Sequence, residues 1–246
     1  MYLMELKFDR DGIGYIDISN NSFPLYRKQF IDLDYYSKEP IVLKRDFYLL
    51  PSSNNYILKV NKVIDYNDVD NYLMLKELIM LQSKINDIEF PIGYVKYNSK
   101  IVGQIIRNYN APSLKNICIS SDLSSLQKYI YLDDDSLHNL FLVYLEILEK
   151  LEKLFSNNVS YLDCHAGNWI IANNDVKLID FDSNLVSFSK NSFYETLMLR
   201  NYIRMINRVS HEFLLPSSIV FDNQYHFSNV KKKVIDFENR IRRIEK

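Results

Sequence analysis

The chain has 246 residues, 47% of them hydrophobic, which is enough for one large domain or two small lobes with cores of their own. With 30 basic and 31 acidic residues the net charge is −1, so no bulk field draws the protein to nucleic acid or to an anionic membrane. Two cysteines, Cys118 and Cys164, lack metal-ligand spacing and are too few for a disulfide framework. The N-terminus "MYLMELKFDRDG" is not signal-like and no apolar run nears the ~20 residues of a bilayer span, so a soluble cytoplasmic protein is expected.

In chain order, the first 110 residues read as short segments rich in Ile, Val and Tyr, separated by turn clusters such as "PSSNN" and "YNSK". Strands are predicted in "IGYIDIS", "KQFIDLDYY", "PIVLKRDFYLL", "NYILKVN", "PIGYVKY" and "KIVGQIIRNY". One helix interrupts them. Over 68–85, Val69, Tyr72, Leu73, Leu75, Leu78, Ile79, Leu81 and Ile85 recur at helical spacing. After residue 111 the character changes. A long amphipathic helix is predicted over 136–155, behind the acidic run Asp133, Asp134 and Asp135, which suits a helix N-terminus. Two short strands around 169–172 and 176–179 flank the turn "NND", and helices are expected near 192–208 and 227–245. This order predicts an α+β protein with a sheet lobe over 1–110 and a helical lobe over 111–246, joined near "RNYNAPSL".

Certain charges stand out against this frame. Lys59, between Leu58 and Val60 in a strand, points either at solvent or at a partner. Glu77 lies among the apolar residues of "LMLKELIML", where a carboxylate is costly unless paired. A strand, a loop and two helical turns can fold it back on Lys59. In "YLDCHAGNWI", Gly167 permits a tight loop between Asp163 and Asn168, and a hairpin closed by "NND" would bring Asn168 and Asp180 together. Those two oxygen donors suit Mg²⁺, which keeps several waters. Asp163 beside them can accept a proton from a hydroxyl. Singly, each residue also reads as a loop cap, a turn former or a strand-end carboxylate.

The order Lys59, Glu77, "DCHAGN" and "IDFD" resembles the protein-kinase-like superfamily, and "LDCHAGN" with "LIDFD" is closest to its aminoglycoside and choline phosphotransferase branch. The similarity covers roughly residues 40 to 185. It implies a two-lobed kinase-like fold and ATP- and Mg²⁺-dependent transfer of the γ-phosphoryl group to a hydroxyl. It also implies Asp163 as catalytic base, Asn168 and Asp180 as magnesium ligands, Lys59 on the phosphates and Glu77 as its partner. By the same resemblance, the backbone of Arg107, Asn108, Tyr109 and Asn110 would meet adenine. His165 falls where the branch has a histidine and kinases often have a lysine, and it either touches the transferring phosphate or braces the loop. Asp182 replaces the glycine of Asp-Phe-Gly.

The sequence also departs from the pattern. Tyr161 stands at a position where the family usually has a histidine. No Gly-rich phosphate loop precedes Lys59: Gly12 and Gly14 are too distant in sequence, and "YYSKEPI" is the alternative turn. No Ala-Pro-Glu motif follows Asp180, so no conventional activation segment is expected. The last helix carries apolar residues at 230, 234, 237, 241 and 244, which fits packing on the helical lobe or binding of a partner helix. The short stretch after the metal site favours a protein Ser/Thr acceptor. A sugar, alcohol or aminoglycoside-like acceptor, or a pseudokinase acting as a binding module, are the alternatives.

Overall fold

The computed structural model describes residues 6–19, 26–28, 45–50, 53–61, 68–119, 134–172, 175–181, 185–213, 215, 218–220, 222 and 225–244. The chain divides into two compact units, Met1–Asn110 and Ala111–Lys246. "YYSKEPI", most of "KQFIDLDYY" and Asp182 lie outside the described residues.

The first unit is built on one sheet. Its strands are β1 (Lys7–Phe8), β2 (Gly14–Asp17), β3 (Tyr26–Lys28), β4 (Arg45–Leu50), β5 (Ser53–Asn61), β6 (Gly93–Tyr97) and β7 (Lys100–Arg107), in the spatial order β1-β2-β6-β7-β5-β4-β3. Every pairing is antiparallel except β2 with β6. The β6–β7 hairpin turns through Asn98 and Ser99 at φ 47° and 67°, the two left-handed residues that a twist-matched two-residue loop needs. Further along β7, Gly103 pairs with both β6 and β5. A Cβ there would stand 2.0 Å from the carbonyl oxygen of Lys59, so only glycine lets β5 approach. β2, which carries Gly14, is separated from β5 by β6 and β7, and the "DGIGY" glycines are therefore not neighbours of the Lys59 strand.

Helix α1 (Asp68–Leu81) packs on this sheet through Leu75, Tyr72 and Ile79 against Tyr94 and Ile13. Tyr72 is also held by charge. Its hydroxyl lies 2.9 Å from Asp9 Oδ2 and 2.6 Å from Asp11 Oδ2, and the Tyr94 hydroxyl lies 3.2 Å from the same Asp9 oxygen. Asp9 Oδ1 accepts from the backbone N–H groups of Asp11 and Ile13, so one turn ties the β1–β2 connection, α1 and β6 together. A second cluster, with Ile16, Leu50, Leu58, Val95, Val102 and Ile105, completes the core.

The second unit contains α2 (Leu114–Ile119), α3 (Asp134–Ser156), β8 (Ser160–Tyr161), a 3₁₀ turn (Ala166–Asn168), β9 (Trp169–Ala172), β10 (Asp175–Leu178), β11 (Val186–Ser187), α4 (Ser192–Glu212) and α5 (Phe227–Ile244). α3 is its spine, burying Leu137, Phe141, Tyr144, Leu148, Leu151 and Leu154 along one stripe. α4 is fastened to it by the Tyr202 hydroxyl, which donates to the Tyr144 carbonyl at 2.6 Å. α5 turns Val230, Val234, Phe237 and Ile241 inward, with Phe237 edge-on to Phe141 at 5.3 Å, and is flanked by the ion pair Lys231–Glu149 and by a 2.9 Å contact between His138 Nδ1 and Glu238 Oε1. Of the two readings of this helix, packing on the helical lobe is the one its apolar stripe follows. The stripe is spent inside the unit, because facing apolar residues on α3 cover it. α2, too short for periodicity to reveal, was not expected.

The protein is thus a mixed α/β chain with a mainly antiparallel sheet. Among the described residues no helix is long and apolar enough to cross a membrane.

Candidate functional site

Just past the end of α3, Asn158 takes the left-handed region at φ 63°, and the Val159 N–H returns to the Leu154 carbonyl. The chain then enters β8, which pairs with β11 and delivers Tyr161 to the interior. The loop that follows is held from outside and from within. Asn201 on α4 donates to the Leu162 carbonyl at 2.7 Å, and Cys164 Sγ lies 4.0 Å from Met205 Sδ on the next turn of α4. Within the loop, His165 N donates to the Asp163 carbonyl, and His165 caps the 3₁₀ turn by accepting from Gly167 N at Nδ1, 3.1 Å away. An accepting Nδ1 puts the proton of a neutral ring on Nε2, which lies 3.5 Å from Asp163 Oδ2.

Asn168, 4% exposed, is the hub. Its amide nitrogen donates to the Tyr161 hydroxyl at 2.8 Å, to the Asp163 carbonyl at 3.0 Å and to Asp163 Oδ2 at 2.9 Å. With the nitrogen spent there, Oδ1 is the atom left to face a cation.

β9 and β10 pair in the register Trp169↔Leu178 to Ala172↔Asp175, and the Ile179 N–H donates to the Asn168 carbonyl at 3.1 Å. Asn168 and Asp180 therefore leave the open end of one hairpin together. Phe181, the residue after Asp180, stacks edgewise on Tyr161 at 5.7 Å. Burial pushes the Tyr161 hydroxyl pKa well above its ordinary value, and the charges of Asp180 and Asp163 push it further, so both carboxylates lie around one buried phenol.

The other end of the hairpin is anchored on α3. Lys150, 4% exposed, reaches Glu146 Oε1 at 3.2 Å and Asp175 Oδ1 at 3.1 Å, while Val176 N donates to Glu146. Burial would raise the Asp175 pKa. The hydrogen bonds from Glu146, Lys177 and Lys150 outweigh burial and hold it well below the usual carboxylate range. Burial and that same bond with Asp175 raise Glu146.

Asp163, His165, Asn168 and Asp180 are thus gathered within the second unit, and Tyr161 joins them as the brace. Among the described residues no group of three or more His, Cys, Asp and Glu side chains could hold a metal ion. One amide oxygen and one carboxylate is the donor set of a cation that keeps most of its water.

The remaining expected residues belong to the first unit. Lys59 is 3% exposed in β5, paired in register with Phe47 and Gln104. Gln104 is in turn paired with Tyr94, which packs on α1, so Lys59 emerges on the α1 side of the sheet. Glu77 differs from expectation. α1 buries Met74, Leu75, Leu78 and Leu81, and Glu77 falls on the opposite stripe with exposed Leu73 and Met80. A carboxylate in water needs no counter-charge to persist, so its apolar sequence neighbours gave no reason to pair it. Arg107 closes β7 and spends its guanidinium on Glu89 at 2.7 Å. The Asn108 N–H donates to the Asn55 carbonyl, Tyr109 is half-buried, and Asn110 turns at φ 30°.

Sequence reasoning missed two groups. The Lys150 anchor could have been found, since Glu146 and Lys150 stand four apart on the predicted helix. Lys115 on α2, 7% exposed beside the loop, gave no signal, because nothing in "SLKNICI" distinguishes it from a surface lysine.

No family model matches this chain, and no curated protein matches it either.

Proposed function

We propose that the protein is an ATP- and Mg²⁺-dependent phosphotransferase whose acceptor is a protein Ser/Thr hydroxyl. The observation that carries this reading is the convergence of Asp163, Asn168 and Asp180 on Tyr161 at the mouth of one hairpin. Asp163 takes the proton of the acceptor hydroxyl as its oxygen bonds to the γ-phosphorus and the bond to ADP breaks. Asn168 fixes Asp163 Oδ2 for that proton, and the Nε2 side of His165 flanks the same oxygen. Asn168 Oδ1 and the Asp180 carboxylate would hold Mg²⁺, which when bound neutralises phosphate charge. Positioning and charge do most of the catalysis.

The test is purified protein with Mg²⁺ and γ-labelled ATP, scored for label on itself, on added proteins and in a small-molecule fraction. Asp163→Asn abolishes label transfer while leaving nucleotide binding intact. Normal transfer by that variant overturns the reading, and label released only on small molecules reassigns the acceptor.

A second reading is a nucleotide-binding module without transfer, favoured because Glu77, a position that the resemblance assigns to the site, is exposed on α1. Stabilisation by ATP with no turnover, unchanged in Asp163→Asn, is its signature.

A further inference from the structure

The arginines of α4 stand apart from the paired cations of its neighbours. On α5, Lys231 is matched by Glu149 and Arg242 by Glu238, and on α3 Lys150 is matched by Glu146 and Asp175. Arg200 and Arg204 are exposed, and among the described residues neither guanidinium has an ion pair or a hydrogen bond.

α4 buries Met198, Tyr202, Met205 and Val209 on its inner side. At 3.6 residues per turn, Phe193, Leu197, Arg200 and Arg204 fall within about 60° of one another on the outer side. Phe193 is 68% exposed, Leu197 is half-buried, and Arg208 continues the line toward the end of the helix. Glu195, the acid of the first turn, faces His226 at 3.4 Å and so does not neutralise it.

This line runs beside the loop. Asn201, next to Arg200, holds the Leu162 carbonyl, and Met205, next to Arg204, meets Cys164, so α4 grips the loop on both sides of Asp163. An exposed aromatic followed by two guanidiniums one turn apart is complementary to an apolar side chain followed by carboxylates, which arginine forks match in shape and charge. From Phe193 to Arg204 is about 16 Å of helix, the reach of about five extended residues. The net charge of −1 and the phenylalanine that ends the cationic line favour an acidic protein segment over a nucleic acid.

We propose that this face of α4 binds an acidic segment of a partner protein, with an apolar residue on Phe193 and Leu197 and carboxylates on Arg200 and Arg204. A protein held there lies beside the loop that carries Asp163. In taking that protein as the hydroxyl acceptor, the inference rests on the phosphotransferase reading.

The experiment is fluorescence anisotropy of the full chain with a labelled peptide carrying one Phe, then Glu and Asp residues, and a Ser. The same peptide with Gln and Asn in place of the acids is the comparison, and transfer of label from γ-labelled ATP to each peptide and to added proteins is followed in parallel. Wild type binds the acidic peptide and not the neutral one, and binding fades as salt rises. Arg200→Gln with Arg204→Gln weakens it about 5-fold, the loss of two exposed ion pairs, and raises KM for the acidic peptide without lowering kcat. Phe193→Ala also weakens binding, whereas Arg200→Lys with Arg204→Lys keeps most of it. Equal binding of the two peptides, or unchanged binding by the Gln pair, overturns the inference, and continued transfer to added proteins then leaves the phosphotransferase reading standing. Arginine-dependent binding without transfer to any acceptor keeps the docking face and sinks the phosphotransferase reading. Tighter binding of single-stranded RNA or of phosphatidylserine vesicles through the same arginines overturns the inference as well. Should the Gln pair fail to melt cooperatively, Arg200→Gln alone decides by the same comparison.

Discussion

The side-chain amide of Asn168 bridges Asp163 Oδ2 at 2.9 Å and the hydroxyl of Tyr161 at 2.8 Å, so a buried phenol on β8 and a carboxylate two residues later share one donor. Tyr161→Phe keeps the ring contacts with Phe181 and Trp169 but removes that acceptor. The expected cost is about 1 kcal/mol in urea unfolding, with a fall in label transfer as Asn168 loses one of its fixings. Unchanged stability and transfer would remove Tyr161 from the site.

Asp180→Asn keeps the shape of the hairpin end and deletes a charge. Label transfer should drop by orders of magnitude and lose its dependence on Mg²⁺, read by titrating the metal at fixed ATP. A variant with wild-type magnesium dependence would show that Asp180 is no ligand.

The Lys150 anchor makes a prediction about stability. Lys150→Met removes the cation that Glu146 and Asp175 share and leaves only Lys177 on Asp175, and the expected loss is on the order of 3 kcal/mol by chemical denaturation. Because the Asp175 pKa is depressed in the folded chain, its share of the stability is complete above the ordinary carboxylate range and is lost as pH falls through the depressed value. The gap in melting temperature between wild type and Asp175→Asn should therefore hold at neutral pH and close in strong acid.

At the alkaline end, the Tyr72 and Tyr94 hydroxyls behave with the opposite sign. Burial first, then the Asp9 carboxylate, raises Tyr94 to about 12, and Tyr72 is raised by burial and by Asp11 and Asp9. A raised folded pKa gives stability that is complete below the ordinary tyrosine value and lost as pH climbs through the raised one. The advantage of wild type over Tyr94→Phe in melting temperature is expected at pH 8 and should shrink from about pH 10 upward.

Gly103→Ala tests how β5 is seated. Its Cβ would meet the Lys59 carbonyl at 2.0 Å, so the strands must part, at a cost of about 1–3 kcal/mol. Gly12→Ala is the control, with open space around it but φ at 76°. It pays only backbone strain, about 1–2 kcal/mol, which Gly12→Asn largely avoids.

Much of the chain could be read from local pattern. The strand around Lys59, the helix over 68–81, the long helix behind Asp134 and the hairpin from 169 to 178 were expected, with ends shifted by only a few residues. Each is set by short-range periodicity and turn chemistry. That Asn168 and Asp180 leave one end of the same hairpin was legible for the same reason: a two-strand hairpin converts a sequence separation into a register, and here the register is Trp169 opposite Leu178.

The order of apolar and turn residues by itself determined where the elements run and that Asn168 and Asp180 stand at the same end of one hairpin. What only the tertiary structure decided are the orientations and enclosures that depend on elements far apart in sequence. α1 turns Leu78 rather than Glu77 toward the sheet, and α3 covers the stripe of α5. α2 presses Lys115 against Gly167, and Tyr161 takes up the hydrogen bond that orients Asn168. The physical reason is that burial belongs to the assembled core: a charged residue in the chain carries no mark of which neighbour will exclude water from it until the packing is complete.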